Sequence, residues 1–86
     1  MHDTYLLNKI SKTLNEICEK SNIRIITQLT IVVSCNSHVN ENNLKEYLKE
    51  NNEDLLADGF NIIVQREDIE NQTAIIHSIK GETFED

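Results

Sequence analysis

The chain has 86 residues, a formal charge of −7 and 38% apolar residues, which predicts a single domain over residues 1–86 with a thin core. Two glycines and no proline exclude a glycine-rich phosphate loop. Lys and Arg form no cluster, so binding to nucleic acid or to an anionic membrane is not expected. Solubility is the first explanation of the acidic charge, and a cation or a basic partner would also suit it.

Cys18 and Cys35 are the only cysteines, and they bear on the compartment. Asp3, Asn8 and Lys9 interrupt any apolar stretch at the N-terminus, so we expect no signal peptide. No apolar run approaches the roughly 20 residues that span a bilayer. We therefore expect a cytoplasmic protein with reduced thiols.

The first element is an amphipathic helix over residues 4–20. Its apolar residues fall on one helical face, with Lys and Glu on the other; they are Leu6, Leu7, Ile10, Leu14, Ile17 and Cys18. Ser21-Asn22 closes this helix, because Asn tolerates the left-handed conformation.

A strand follows over residues 23–35, where β-branched and apolar residues alternate with polar ones. Residues 36–40 are polar and predict a loop. A second helix begins at Asn40, a good N-cap, and the pattern extends it to about residue 56, with a weak point at Asn51-Asn52. Asp58-Gly59 then ends the helical pattern.

Two more strands are predicted over residues 60–66 and 73–80, joined by the polar segment 67–72 as a hairpin. The order is α-β-α-β-β, an α+β fold with two helices on one face of a three-stranded mixed sheet. The first two strands should be parallel, with a right-handed crossover through the second helix. The last two should be antiparallel.

Several segments, in this order, match one known pattern. They are Met1-His2-Asp3 at the start, the strand Ile26 to Val33 followed by Ser37 and Val39, the segment Ala57 to Val64, and Ser78 to Glu82 near the end. The chain resembles the nickel-binding domain of the HypA family of hydrogenase nickel-incorporation proteins. The similarity covers nearly the whole chain.

The chain also departs from that family. HypA proteins insert a zinc domain with two Cys-x-x-Cys pairs between the last two strands, whereas this chain has only Glu67 to Gln72 there. We therefore expect no structural zinc. The family's Gly-Glu-Leu after the first strand is Ser34-Cys35-Asn36 here, and Asp3 replaces a Glu.

Met1, His2 and Asp3 form the candidate metal site. The α-amine of Met1 and the amide nitrogen of His2 would close one chelate ring, and the imidazole of His2 would close a second. The amide of Asp3 can add a third ring, and its carboxylate could bind or orient from above. Four nitrogens in a plane favour Ni(II) or Cu(II) over Zn(II). An exposed His on a frayed terminus is the alternative.

The other chemistry-bearing residues have simpler interpretations. Cys35 and His38 could supply two metal ligands, but a semi-buried thiol beside a surface His explains them better. Cys18 is expected in the core, and His77 is expected to be structural or at the surface. A catalytic pair of Cys35 with His38 or His77 has no local signature. The carboxylates of Glu67, Asp68 and Glu70 fit a solvated turn, so we do not expect an enzyme.

The resemblance implies a nickel metallochaperone for maturation of an enzyme such as [NiFe]-hydrogenase. Its implied partners are a HypB-like GTPase or the precursor of the hydrogenase large subunit. A HypA-like interaction module that has lost metal delivery is the alternative, and the missing zinc domain favours it.

Overall fold

The computed structural model describes residues 4–84, which form an α+β fold in the predicted order. Its helices are α1 (Thr4–Lys20) and α2 (Glu41–Asn51), followed by a 3₁₀ turn (Glu53–Leu55). Its strands are β1 (Ile23–Ser34), β2 (Leu56–Glu67) and β3 (Ala74–Thr83). The predicted fold class is confirmed.

The three strands form one mixed sheet with β1 in the centre, in the order β2-β1-β3. β1 and β2 are parallel, with Leu29 opposite Ile62, and β1 and β3 are antiparallel, with Leu29 opposite Ile79. The predicted hairpin between the last two strands is wrong, because the loop after β2 crosses the end of β1 instead of turning back beside β2. Central placement explains why Ile31, Val32 and Val33 are all buried, since β1 has a neighbouring strand on each side whose side chains flank its own.

Both helices pack on one face of the sheet. α1 packs on β1 and β3, and α2 packs on β2. The core between the layers contains the apolar face predicted for α1, including Leu6, Leu14 and Cys18, with Ile17 only half-buried. The opposite face of the sheet carries no helix from residues 4–84, and Ile63 and Ile75 are exposed at 36% and 47% there.

Asn residues lie at the end of α1 and at the start of α2, where the sequence predicts them. The turn after α1 contains Asn22 with φ 60. Asn40 caps α2 in a reciprocal arrangement, because its side chain accepts from the backbone of Asn43 at 2.9 Å while the Asn43 side chain accepts from the backbone of Asn40 at 2.9 Å. Such a box satisfies two otherwise unpaired amides at the start of the helix.

The boundary between α2 and β2 differs from the prediction. α2 ends at Asn51, and residue 56 already begins β2. Asp58 and Gly59, predicted to end the helix, lie inside β2, where residues 57–60 together face the single residue Thr27 of β1. Gly59 takes a φ of 72 in this bulge, a conformation that glycine adopts at no steric cost.

Candidate functional site at the carboxyl end of the parallel strands

The predicted nickel ligands Met1, His2 and Asp3 lie outside the described residues. The structure does fix where the chain goes next, since α1 begins at Thr4 and Leu6 is fully buried. A tight turn links the end of α1 to the start of β1, so α1 runs antiparallel to β1. α1 therefore begins at the end of the sheet where β1 and β2 finish.

α2 begins at the same end of the sheet. The loop after β1 leads directly into it, and the side-chain amide of Asn8 on α1 donates to the hydroxyl of Tyr47 on α2 at 3.1 Å. The starts of both helices, the loop 35–40 and the loop 68–73 thus gather at one end. In open α/β sheets this end, beyond the carboxyl termini of parallel strands, commonly holds the functional site.

Arg66 organises the loop 35–40 from the end of β2. Its guanidinium donates to the carbonyl oxygens of Ser37 at 2.9 Å, Val39 at 2.6 Å and, more weakly, Ser34 at 3.4 Å. The planar guanidinium can serve several carbonyls at once, which an ammonium cannot do in the same geometry. The loop is therefore fixed although no regular structure runs through it.

Further bonds attach this loop to its neighbours. The backbone amide of Cys35 donates to the carbonyl oxygen of Glu67 at 3.0 Å, which continues the β1–β2 pairing by one step. The Ser34 hydroxyl donates to Oδ1 of Asn71 at 2.9 Å. The Asn43 side chain donates to the carbonyl oxygen of His38 at 2.8 Å. The start of α2 and both loops are thereby linked by hydrogen bonds, and the bond from Asn8 to Tyr47 joins α1 to α2.

Cys35 and His38 are both exposed in this loop. The thiol is more exposed than the semi-buried position expected of it. Glu67, Asp68 and Glu70 are exposed as well, in agreement with a solvated turn. Across residues 4–84, no group of three or more His, Cys, Asp and Glu side chains is placed to hold a metal ion.

His77 lies away from Cys35. It sits in a bulge of β3, between the residues opposite Ile31 and Thr30. Cys35 is four residues beyond Ile31 along β1, so the two side chains are separated by about 13 Å of strand. Cys35 and His77 therefore do not form a catalytic pair.

Cys18 lies in the core, as predicted, at 3% exposure. Burial raises the pKa of its thiol, because a thiolate is poorly solvated in an apolar interior. This thiol is thus protonated at neutral pH and almost inaccessible to solvent.

Sequence reasoning missed Arg66 as an organising residue. Its three acceptors lie 27 to 32 positions away in sequence, and only the parallel β1–β2 register brings them together. The available signal was the basic residue at the end of a strand whose parallel neighbour enters a polar loop.

The described helices are too short and too polar to cross a membrane. Comparison of the chain with protein-family models, with curated proteins and with solved structures finds no match.

Proposed function

We propose that the protein is a HypA-like nickel metallochaperone that binds Ni(II) through Met1, His2 and Asp3 and passes it to a nickel enzyme. The support lies in this chain's own residues, since the comparisons identify no family. The start Met1-His2-Asp3 has the donor set of a planar nitrogen site. The element order and the parallel β1–β2 pairing agree with the fold that the resemblance implies.

The observation that carries the proposal is that this donor set lies only a few residues along the chain from a side chain buried in the core. Leu6, four positions after His2, is fully buried in the core. A metal bound by the first three residues would therefore stay near the end of the sheet that carries both loops. It would be presented to a partner on a defined surface and not on a long free tail.

The electrostatics at the start of a helix are compatible with such a site. A bare cation would be disfavoured there, because the N-terminal end of the helix dipole is positive. Ni(II) held by two deprotonated amide nitrogens is neutral overall, however, and the Asp3 carboxylate would add a negative charge. The complex would then be favoured at the start of α1.

Delivery is the second half of the proposal. The receiving partner would be a HypB-like GTPase or a hydrogenase large-subunit precursor, in the cytoplasm, as the resemblance implies. The net charge of −7 would favour approach of a basic surface on that partner.

Titration calorimetry with Ni(II) tests the binding step. Protein with a free amine at Met1 should bind one Ni(II) per chain, with visible absorption typical of a planar site. A matched protein extended at its N-terminus should bind far more weakly, because the extension converts the amine into an amide. Equal affinity in the two proteins would refute the proposed ligand set.

A protein-interaction module without metal delivery is the second candidate. It is favoured by the open face of the sheet, where Ile63 and Ile75 are exposed at opposite edges. If the protein with a free amine binds no Ni(II), this function becomes the better supported one.

Neither candidate requires structural zinc, so a strong chelator should leave the unfolding temperature of the protein unchanged.

A further inference from the structure

The two edges of the sheet differ in how they are protected. On β2, the carboxylate of Glu41 accepts a hydrogen bond from the backbone amide of Val64 at 3.1 Å, and the bulge at residues 57–60 interrupts the strand. Both devices hinder pairing with another strand. On β3, ten residues run along the outer edge, with a single-residue bulge at His77. No carboxylate is bonded to its backbone amides among the described residues, and no strand from the described part of the chain pairs with this outer edge.

The β3 edge is flanked by a shallow, partly apolar groove. A cavity of about 200 Å³ lies between α1 and β3, lined by Ile10, Thr13, Ile17, Ala74 and Ile76 together with Lys9. Thr13 and Ile17 remain half-buried. The groove and the edge of β3 thus form one continuous surface.

We propose that this surface binds a second copy of the chain, with β3 pairing antiparallel to β3 of the partner. The two sheets would join into one of six strands, with all four helices on the same face. The symmetry is a two-fold axis perpendicular to the sheet, which makes the interface self-complementary. The proposal does not depend on nickel binding.

The spacing of the elements permits this arrangement. Neighbouring strands lie about 4.8 Å apart, and α1 packs over both β1 and β3. The axis of α1 therefore lies about 5 Å from the seam between the two β3 strands, which places the two α1 axes about 10 Å apart. Packed helices are separated by about 8–10 Å, so the two α1 helices would pack against each other and cover the groove.

The directions of the elements set how the helices meet. α1 and β3 both run antiparallel to β1, so α1 runs parallel to β3. Ile23, just after the end of α1, pairs with Thr83 at the end of β3. The carboxyl ends of α1 and β3 therefore lie at the same height along the sheet. Since α1 is about 25 Å long and β3 about 33 Å, an axis beside the middle of β3 also passes close to the middle of α1. The two α1 helices would then be antiparallel and in register at their centres.

Charges on the outer face of α1 match this register. Lys9 and Glu16 lie two turns apart on the same side of the helix and are both exposed. Antiparallel pairing about the centre of α1 places Lys9 opposite Glu16 of the second copy, twice by symmetry. It also places Tyr5, which is 63% exposed, beside Lys20 of the second copy, where a ring can receive an ammonium. The acidic protein thus has a locally complementary seam.

Sedimentation equilibrium on the full chain tests the proposal through charge reversal. The wild-type protein should dimerise reversibly, whereas Lys9→Glu and Glu16→Lys should each dimerise about tenfold or more weakly, since each creates two like-charge contacts. An equimolar mixture of the two variants should form a heterodimer, and the double variant Lys9→Glu/Glu16→Lys should recover the wild-type association. This recovery separates a lost contact from a lost fold.

Lys49→Glu on α2 is the matched control, because it makes the same charge change on the helix that packs over β2. It should leave the association constant unchanged. Hydrogen exchange should show alternate amides of β3 protected in the wild-type dimer and exchanging in the Lys9→Glu monomer. A wild-type protein that stays monomeric at every concentration would overturn the proposal, as would a dimer that both single charge variants leave intact.

Discussion

The hydroxyl of Ser11 donates a hydrogen bond of 2.6 Å to Oδ1 of Asn52, which joins the middle of α1 to the end of α2. The side-chain nitrogen of Asn52 in turn donates to Oδ1 of Asn15 at 2.9 Å and to the carbonyl oxygen of Ser11 at 3.3 Å. Asn52 is only 4% exposed, yet all its polar side-chain atoms are bonded. This amide is thus the polar link between the two helices on the buried side of the fold.

Asn52→Ala should lower the free energy of unfolding by about 2–3 kcal/mol, because it removes three hydrogen bonds and leaves buried Ser11 without its acceptor. Asn51→Ala is the matched control. Asn51 is exposed, and its side chain donates only to the carbonyl oxygen of Tyr47, so its loss should cost less than about 0.5 kcal/mol. Urea unfolding monitored by circular dichroism measures both; equal losses would contradict the role of Asn52.

The sequence predicted the elements well where local signals decide them. The bounds of α1 agree with the apolar periodicity, Asn22 ends the turn after it, and Asn40 caps α2. The start of β2 could not be found in this way. Leu55 and Leu56 continue the helical spacing of α2, and Asp58-Gly59 has the composition of a helix end. Only pairing with β1, thirty residues earlier, makes this segment a strand with a bulge.

Local sequence patterns also could not predict where β3 lies in the sheet. A short polar loop between two strands usually marks a hairpin, which led to the wrong neighbour for β3. The sequence of β1 contained the contrary signal. Ile31, Val32 and Val33 are consecutive apolar residues, a pattern typical of a strand buried in the middle of a sheet. Of the candidate site, the sequence located the loop with Cys35 and His38, but not its dependence on Arg66.

Gly81→Ala should disrupt the pairing of β1 with β3. A Cβ at position 81 would overlap the carbonyl oxygen of Ile25 and lie 3.1 Å from Cα of Ile26, so the strands would have to separate. Gly59→Ala meets no atom within 4 Å, and its cost of about 1–2 kcal/mol arises from the positive φ alone. Thermal unfolding of both variants should rank Gly81→Ala as clearly the less stable; the reverse order would contradict the close approach at Gly81.

Arg66→Lys should loosen the loop 35–40 although it conserves charge. An ammonium cannot reproduce the bonds of the guanidinium to Ser37 and Val39 in this geometry. Hydrogen exchange of the loop amides should accelerate, while the helices exchange as before. Arg24→Lys is the control, since Arg24 forms an exposed ion pair with Glu82, and such pairs contribute less than about 1 kcal/mol. Unchanged exchange in Arg66→Lys would show that the loop is fixed by other contacts.

The two thiols should react at very different rates. A disulfide reagent should modify exposed Cys35 at once and Cys18 only after unfolding.

The pKa of Cys18 is raised in the folded state above the ordinary value of 9.0, so the unfolded chain loses this proton first as the pH rises. The contribution of Cys18 to stability is therefore complete below pH 9.0 and declines above it. Cys18→Ala should reduce this alkaline loss, whereas Cys35→Ala should not; equal slopes of stability against pH in both variants would contradict the assignment.

His2→Ala should abolish tight Ni(II) binding, while His38→Ala and His77→Ala should leave it nearly intact. His2 alone is adjacent to the amine of Met1, so its amide and imidazole close fused rings without ordering a distant segment. His38 and His77 lie on separate elements and would have to gather further ligands.

Asp3→Ala should lower the Ni(II) affinity less than His2→Ala does, because the Asp3 backbone amide remains. Acid should release the metal as the imidazole and the amine regain protons. Calorimetry and the visible spectrum of the Ni(II) complex measure all four variants. A His2→Ala protein with unchanged nickel affinity would refute the proposed site and leave the interaction module as the better supported function.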